Sequence, residues 1–201
     1  MAPVHGKLDS TMTELMLSTR NAHKVREFAR LLAPRSVVAL PDDVVLPPEE
    51  GETFEANALP KARTAARATG RIAIADDSGI EAAALGGAPG VYSARYAGPE
   101  ASDEENLAKL LREAPAGSAL AYVCVIAYVD PETGEERCFE GRCTGRLAAT
   151  PRGAGGFGYD PAFIPDDGDG TRTMAELSDG EKDAISHRGR AARELLAWLA
   201  R

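Results

Sequence analysis

The sequence predicts one α/β domain built on a mixed sheet, and three stretches carry that prediction. Leu15-Met16-Leu17 runs into Ser18-Thr19-Arg20-Asn21, after which Val25, Phe28, Leu31 and Leu32 recur at helical spacing: strand, turn, helix. Residues 119–129 and 137–146 flank Asp130-Pro131-Glu132-Thr133-Gly134, a hairpin signal. Ser186 opens a last helix with Leu195, Leu196 and Leu199 as its inward stripe. At 201 residues, 44% hydrophobic and 27% charged, the chain has the size and balance of one soluble domain, which excludes general disorder. Residues 1–13 read as a polar tail and residues 14–201 as the domain.

Between these landmarks the elements follow in order. A second strand fits 36–40, and Pro41, Pro47 and Pro48 then force a loop rich in carboxylates. Thr53, with Glu55 behind it, opens a helix to about Thr69, which Pro60 is expected to kink or split. A strand at 71–75 leads into Asp76-Asp77-Ser78-Gly79, and 80–85 continues it after a bend. Residues 86–98 are glycine-rich and read as loop. Ser102 caps a helix to Ala114 whose apolar face is Leu107, Leu110 and Leu111. Residues 153–158 form a second glycine-rich loop.

Composition removes several function classes. A net charge of −8 and a pI near 5.0 argue against a broad grip on nucleic acid, though a few local cations can still hold one nucleotide. The longest apolar run, 119–129, falls well short of the ~20 residues of a membrane span and reads as a buried strand. His5, Lys7, Asp9 and Glu14 leave the first residues without the apolar centre of a signal peptide. Cys124, Cys138 and Cys143 match no zinc pattern and read as small hydrophobes kept reduced, so the expected compartment is the cytoplasm.

Four clusters can carry chemistry. Asn21 is placed to cap a helix with His23 and Lys24 in its first turn, where each cation costs roughly 0.3–1 kcal/mol unless an anion sits there or the lysine is simply solvated. Ser186-His187-Arg188-Gly189-Arg190 repeats that inverted charge with Lys182 just upstream, and the pair favours a phosphate pocket. Asp76-Asp77 stand where a strand is predicted to end, the place where ligands gather in α/β sheets. Neighbours on a strand point to opposite faces, so one of the two faces a given cleft. Glu49, Glu50, Glu52 and Glu55 form either a solvated acidic loop or part of a magnesium site, since magnesium takes one or two carboxylates plus substrate phosphates. Gly155-Gly156-Phe157-Gly158-Tyr159-Asp160-Pro161 offers N–H groups, aromatic faces and an acceptor for a base, or else a tight turn with core aromatics. There is no GxxxxGK[ST] phosphate loop, and Ser78 lacks the G-x-S-x-G surroundings of a nucleophile.

Taken in order, 18–27, Thr53-Phe54-Glu55-Ala56-Asn57-Ala58 with Lys61-Ala62, 75–79, 85–96, 155–161, Lys182 and Ser186-His187-Arg188-Gly189 resemble the inosine triphosphate pyrophosphatase family, the XTP/dITP diphosphatases. The resemblance implies an elongated two-lobed α/β fold, a mixed sheet flanked by helices around a central cleft. It implies a homodimer that uses Mg²⁺ to hydrolyse ITP, dITP and XTP to monophosphate and pyrophosphate. It further implies that Thr19, Arg20, Asn21, Ala22, His23, Lys24 and Lys61 cradle the triphosphate. Glu49 and Asp77 would hold the metal, with Asp77 as proton acceptor. Ser78, Phe157, Gly158, Tyr159, Asp160, Lys182, His187 and Arg188 would line the substrate pocket. Three positions depart from the family: Arg20 stands where Gly is usual, Pro60 falls just before Lys61, and Glu50 replaces a usual Thr or Ser, which leaves Glu49 and Glu50 competing for the metal. A Maf-like pyrophosphatase fits these blocks poorly, and a non-catalytic nucleotide sensor would have no need of Asp77 with a glutamate cluster.

Overall fold

The computed structural model describes residues 14–201, so the predicted tail lies outside the described residues. Six strands form one sheet in the order β2-β1-β3-β4-β5-β6. β1 (Leu15–Leu17), β2 (Val37–Ala39) and β3 (Ala73–Ala82) are parallel. β4 (Ala119–Val129), β5 (Glu136–Leu147) and β6 (Phe163–Pro165) continue the sheet antiparallel. α2 (Phe54–Thr69) covers one face; α1 (Ala22–Leu31) and α5 (His187–Leu199) cover the other. α3 (Asp103–Glu113) packs at the far end, and α4 (Asp179–Ile185) leads into α5.

Period-two alternation sorts the long strands between the two layers. Val123, Val125, Ala127 and Val129 of β4 face α2, whereas Cys124, Ile126 and Tyr128 face α1 and α5. The apolar run is thus a strand buried on both faces, as expected, and Cys124 and Cys143 are free and buried, with Cys138 half-buried. Gly141 of β5 permits the close seat of α5: a Cβ there would collide with the His187 carbonyl and the Ala191 amide. That contact fixes the height at which the first turn of α5 meets the sheet.

Three expectations need correction. Pro60 lies inside α2 without breaking it. Phe54, Asn57, Ala58, Lys61, Ala62, Ala65 and Ala66 are all buried along that helix, and this packing outweighs the one hydrogen bond proline forfeits. The bend after Gly79 is absent, because β3 pairs with β4 in unbroken register from Ala73↔Val129 to Ala82↔Leu120. Asp76 and Asp77 are therefore mid-strand. Residues 159–185, left unassigned by periodicity, hold the short β6 and α4, and 86–98 contains a 3₁₀ turn at Gly90–Arg95.

The parallel neighbour nevertheless ends where the carboxylates begin. β1 pairs with β3 only at Met16↔Ala73 and Leu17↔Ile74, and the Ser18 amide makes the last contact, to the Ile74 carbonyl. Beyond it, among the described residues, no strand lies alongside that edge of β3, which gains only an isolated bridge from Glu81 to Pro89. The open edge is the carboxyl end of the parallel half-sheet, where side chains of both faces are reachable.

Candidate active site

The turn between β1 and α1 forms as its sequence dictates. Asn21 caps the helix, its side-chain oxygen accepting from the His23 amide at 2.8 Å and the Lys24 amide at 3.2 Å. Thr19 Oγ1 accepts from the Asn21 amide, and Ser18 Oγ donates to the Lys61 carbonyl, tying the turn to α2. The first turn contains no acidic side chain; Ala22 and His23 are exposed, whereas Lys24 is largely buried. Arg20 departs from the expected phosphate cradle: its guanidinium turns onto the 40–44 loop and donates to the carbonyls of Leu40, Pro41, Asp42 and Val44.

Asp76 and Asp77 divide the two faces of β3. Asp76 is buried on the α1–α5 side, where its Oδ2 takes Lys24 Nζ at 3.0 Å and Arg188 Nη2 at 3.1 Å. Burial alone would raise its pKa, but the charges of Lys24, Arg188 and Lys61 hold it well below the usual carboxylate range. Asp77 points the other way, into α2, and accepts from Asn57 Nδ2 at 3.0 Å. Burial pushes its carboxyl up to about 6, against the pull of Lys61 and with the repulsion of Glu49 added. Lys61 Nζ stands between the acids, 2.5 Å from Glu49 Oε1 and 3.8 Å from Asp77 Oδ1. Glu50, by contrast, is exposed.

The third part of the site comes from the C-terminal elements. Lys182, on α4, donates to Glu27 and Asp160, each at 2.7 Å. Arg188 donates to Glu27 at 2.5 Å, to Asp76 through two nitrogens and to Ser78 Oγ at 2.9 Å. Asp160 also receives the Phe157 amide, and a Cβ on Gly156 (φ +69°) would strike its carboxylate. The Phe157 ring lies 5.0 Å from His23 and 5.2 Å from Lys182 Nζ. Gly158 donates to Asp103, and the Tyr159 hydroxyl is spent on the Ser93 carbonyl, so that ring is a strut. His187 stacks on Tyr122 at 4.6 Å and 7°. Burial, then Arg188 and Lys182, push its pKa well below the ordinary value, so it is neutral at pH 7; of the two arginines in that turn, Arg188 faces the cavity and Arg190 pairs with Asp167. Asn21, Lys24, Ser78, Phe157, Gly158, Tyr159, Asp160, Lys182, His187 and Arg188 line one cavity of about 120 Å³.

Glu27 had no role in the sequence reading, yet it joins α1 to both α4 and α5. Charge balance could have revealed it: Lys24, Lys182 and Arg188 cannot be buried together against Asp76 and Asp160 alone. Asn57, which orients Asp77 and also holds Gly51, was likewise missed. The sign of α4 was Ser178-x-x-Glu181, a capping box.

Residues 15–198 match the sequence model of the Ham1 family. The chain belongs to the Ham1 family. It is 47% identical over 196 residues to a protein of Bacillus licheniformis named dITP/XTP pyrophosphatase, covering 94% of this chain and 98% of that one. A relative of the same name from Symbiobacterium thermophilum is 50% identical over 191 residues, covering 92% and 94%. The solved structure of a HAM1 protein from Coxiella burnetii superposes with a TM-score of 0.83 at 41% identity, covering 94% of this chain and 99% of that one. The mixed sheet flanked by helices is thus the Ham1 architecture.

The family's donor chemistry can be tested on the residues present. Among the described residues no three His, Cys, Asp or Glu side chains gather as a self-sufficient metal site. Asp77 and Glu49 do flank one shared cation position, now taken by the Lys61 ammonium. Two carboxylates suit a hard divalent ion that completes its shell with phosphate oxygens and water. The donor set fits such an ion when substrate is present.

Glu27 makes the electrostatics of the cation side measurable. Burial raises its pKa, but Arg188 and Lys182 more than reverse this, and it lies below its ordinary 4.5. A carboxyl depressed in the fold stabilises fully above its unfolded pKa and loses that contribution as pH falls through its folded value. Glu27→Gln is therefore expected to cost about 3–5 kcal/mol at pH 7, because it leaves buried cations under-compensated, and less in acid below about pH 4.5. Urea unfolding at pH 7, 5 and 4 checks this; a penalty that does not shrink with pH would contradict it.

Proposed function

We propose that this Ham1-family chain hydrolyses aberrant purine nucleoside triphosphates (dITP, ITP and XTP) to the monophosphate and pyrophosphate. The observation that carries this reading is the arrangement about β3. A cavity lined by cations and aromatics lies on one face, and a carboxylate pair around an ammonium lies on the other, with an open strand edge between them. The names of its relatives support the substrate class. Lys24 and Lys61 exchange carboxylate partners for phosphate oxygens and orient the triphosphate. Asp77, poised near neutrality by burial, accepts the proton of the water attacking the α-phosphorus, and pyrophosphate leaves in line. Asp77 and Glu49 would hold Mg²⁺, which supplies charge neutralisation on the phosphates. Glu50 points to solvent and lacks that geometry.

Base selection follows from Arg188. Among the described residues, its contacts to Glu27, Asp76 and Ser78 engage four of five N–H groups. The remaining one suits the 6-oxygen of hypoxanthine or xanthine, whereas the 6-amino group of adenine would meet a donor with a donor. Phe157 supplies the stacking face. A Mg²⁺ assay over dITP, XTP, ITP, ATP and dTTP that separates pyrophosphate from phosphate tests the whole reading. Pyrophosphate is expected from the first three, with ATP slower by ~10²-fold or more. Release of single phosphates would overturn α-attack, and tight binding without turnover would leave a sensor. EDTA is expected to stop the reaction and excess Mg²⁺ to restore it.

The same reading has the protein working as a homodimer in the cytoplasm, supported by the family resemblance and by three free thiols. No helix among the described residues is long and apolar enough to cross a membrane. Sedimentation at micromolar concentration tests the dimer.

A further inference from the structure

We propose that Arg20 is a positioning residue that bolts the phosphate turn to the loop carrying Glu49, and so sets how readily that loop takes up a divalent cation. This rests on the pyrophosphatase reading above only for the identity of the cation-binding carboxylate.

The loop between β2 and α2 spans 40–53 and contains no strand or helix. Its second half is anchored at Glu49 and Gly51. Arg95 Nη2 donates to the Glu49 carbonyl at 2.8 Å, the Gly51 amide donates to Asn57 Oδ1 at 2.7 Å, and Lys61 holds the Glu49 carboxylate. The first half, which begins at Pro41, has among the described residues one backbone hydrogen bond of its own, from the Val44 amide to the Pro41 carbonyl. Arg20 supplies the rest. Nη1 donates to the Leu40 carbonyl at 2.9 Å and to Asp42 Oδ1 at 3.2 Å. Nη2 donates to the carbonyls of Pro41 at 2.7 Å, Asp42 at 3.2 Å and Val44 at 3.1 Å. Thr19 and Asn21 on either side belong to the turn that caps α1, so one side chain joins the two walls of the site.

The acceptors decide what this arginine does. Both terminal nitrogens of the guanidinium are committed to this loop, and a planar fork suits several acceptors on one segment. An ammonium, with three donors on a point charge, cannot span five acceptors, so lysine should not substitute. Supports behind metal-binding side chains typically govern affinity by 10–100-fold.

The test compares wild type, Arg20→Gln and Arg20→Lys in two measurements. The first is the half-saturating Mg²⁺ for pyrophosphate release, beside the KM for dITP at saturating Mg²⁺. In Arg20→Gln the metal requirement is expected to rise about tenfold while KM changes little, and Arg20→Lys is expected not to restore it. The second is hydrogen exchange, which needs no activity: the Val44 amide, the hydrogen-bonded amide of that half, is expected to exchange faster in both variants, with those of β4 unchanged. A tenfold rise in KM at unchanged metal requirement would make Arg20 a phosphate ligand and overturn the proposal. Full rescue by lysine, or unchanged exchange in the loop, would overturn it as well. If the wild type released no pyrophosphate, the reading of the reaction would fail, and the exchange comparison would decide the tether by itself.

Discussion

Asp77→Asn is expected to lose at least about 10⁴-fold in pyrophosphate release, since the change removes a proton acceptor and a metal-binding oxygen together. The amide is nearly isosteric, and its oxygen can still accept from Asn57 Nδ2, so the fold is expected to survive. The stability change has a definite sign. Burial raises the Asp77 pKa to about 6, so at neutral pH the ionised carboxyl opposes folding. Removing that charge should leave the melting temperature unchanged or higher. A variant that is dead yet at least as stable as wild type separates chemistry from folding. Near-normal turnover would remove Asp77 from the mechanism.

Arg188→Ala is expected to have the largest effect on stability together with a change in selectivity. Arg188 is fully buried, and its loss leaves Glu27 and Asp76 dependent on Lys182 and Lys24. Breaking a buried ion pair from one side costs about 3–5 kcal/mol, or roughly 10 °C for a domain of this size. The preference for ITP over ATP should narrow by about tenfold or more, the worth of one charged hydrogen bond. Arg188→Lys keeps the charge but not the fork, so it is expected to recover stability in part and selectivity hardly at all. Melting curves and the ITP/ATP ratio of kcat/KM read the two effects separately. An unchanged ratio would mean that the base is read by other groups.

Much of this was legible in the sequence where local rules and tertiary packing agree. Asn21, Thr53, Ser102 and Ser186 cap the helices they were expected to cap, and the 119–129 run is the central strand. Where long-range packing overrides local preference, the sequence misleads. Pro60 sits in an unbroken helix because one face of α2 is buried throughout, and Asp76-Asp77-Ser78-Gly79 stays in register because β4 supplies a continuous partner. The inverted charge at two helix starts pointed to a phosphate pocket, and Lys24, Lys182 and Arg188 do line one cavity. It could not show that Lys24, Lys182 and Arg188 are already matched to Asp76, Asp160 and Glu27, because those pairs join residues up to 161 positions apart. Arg20 shows the same limit: its neighbours suggest phosphate, while the loop it holds is some twenty residues away.

The alternation on β3 also bears on how the gene can change. Asp76 and Asp77 serve opposite faces because each is a fixed number of pleats from Ala73, where the parallel ladder begins. A deletion or insertion of one codon between them and Ala73 would trade their sides, setting Asp77 against Lys24 and Arg188 and Asp76 against Lys61. Composition would change by a single residue, yet both halves of the site would be lost. The hairpin turn at 130–134 carries no such constraint and can absorb length changes cheaply. Indel tolerance along this chain should therefore be near zero at 73–77 and high at 130–134, a contrast that a library of single-codon deletions would expose directly.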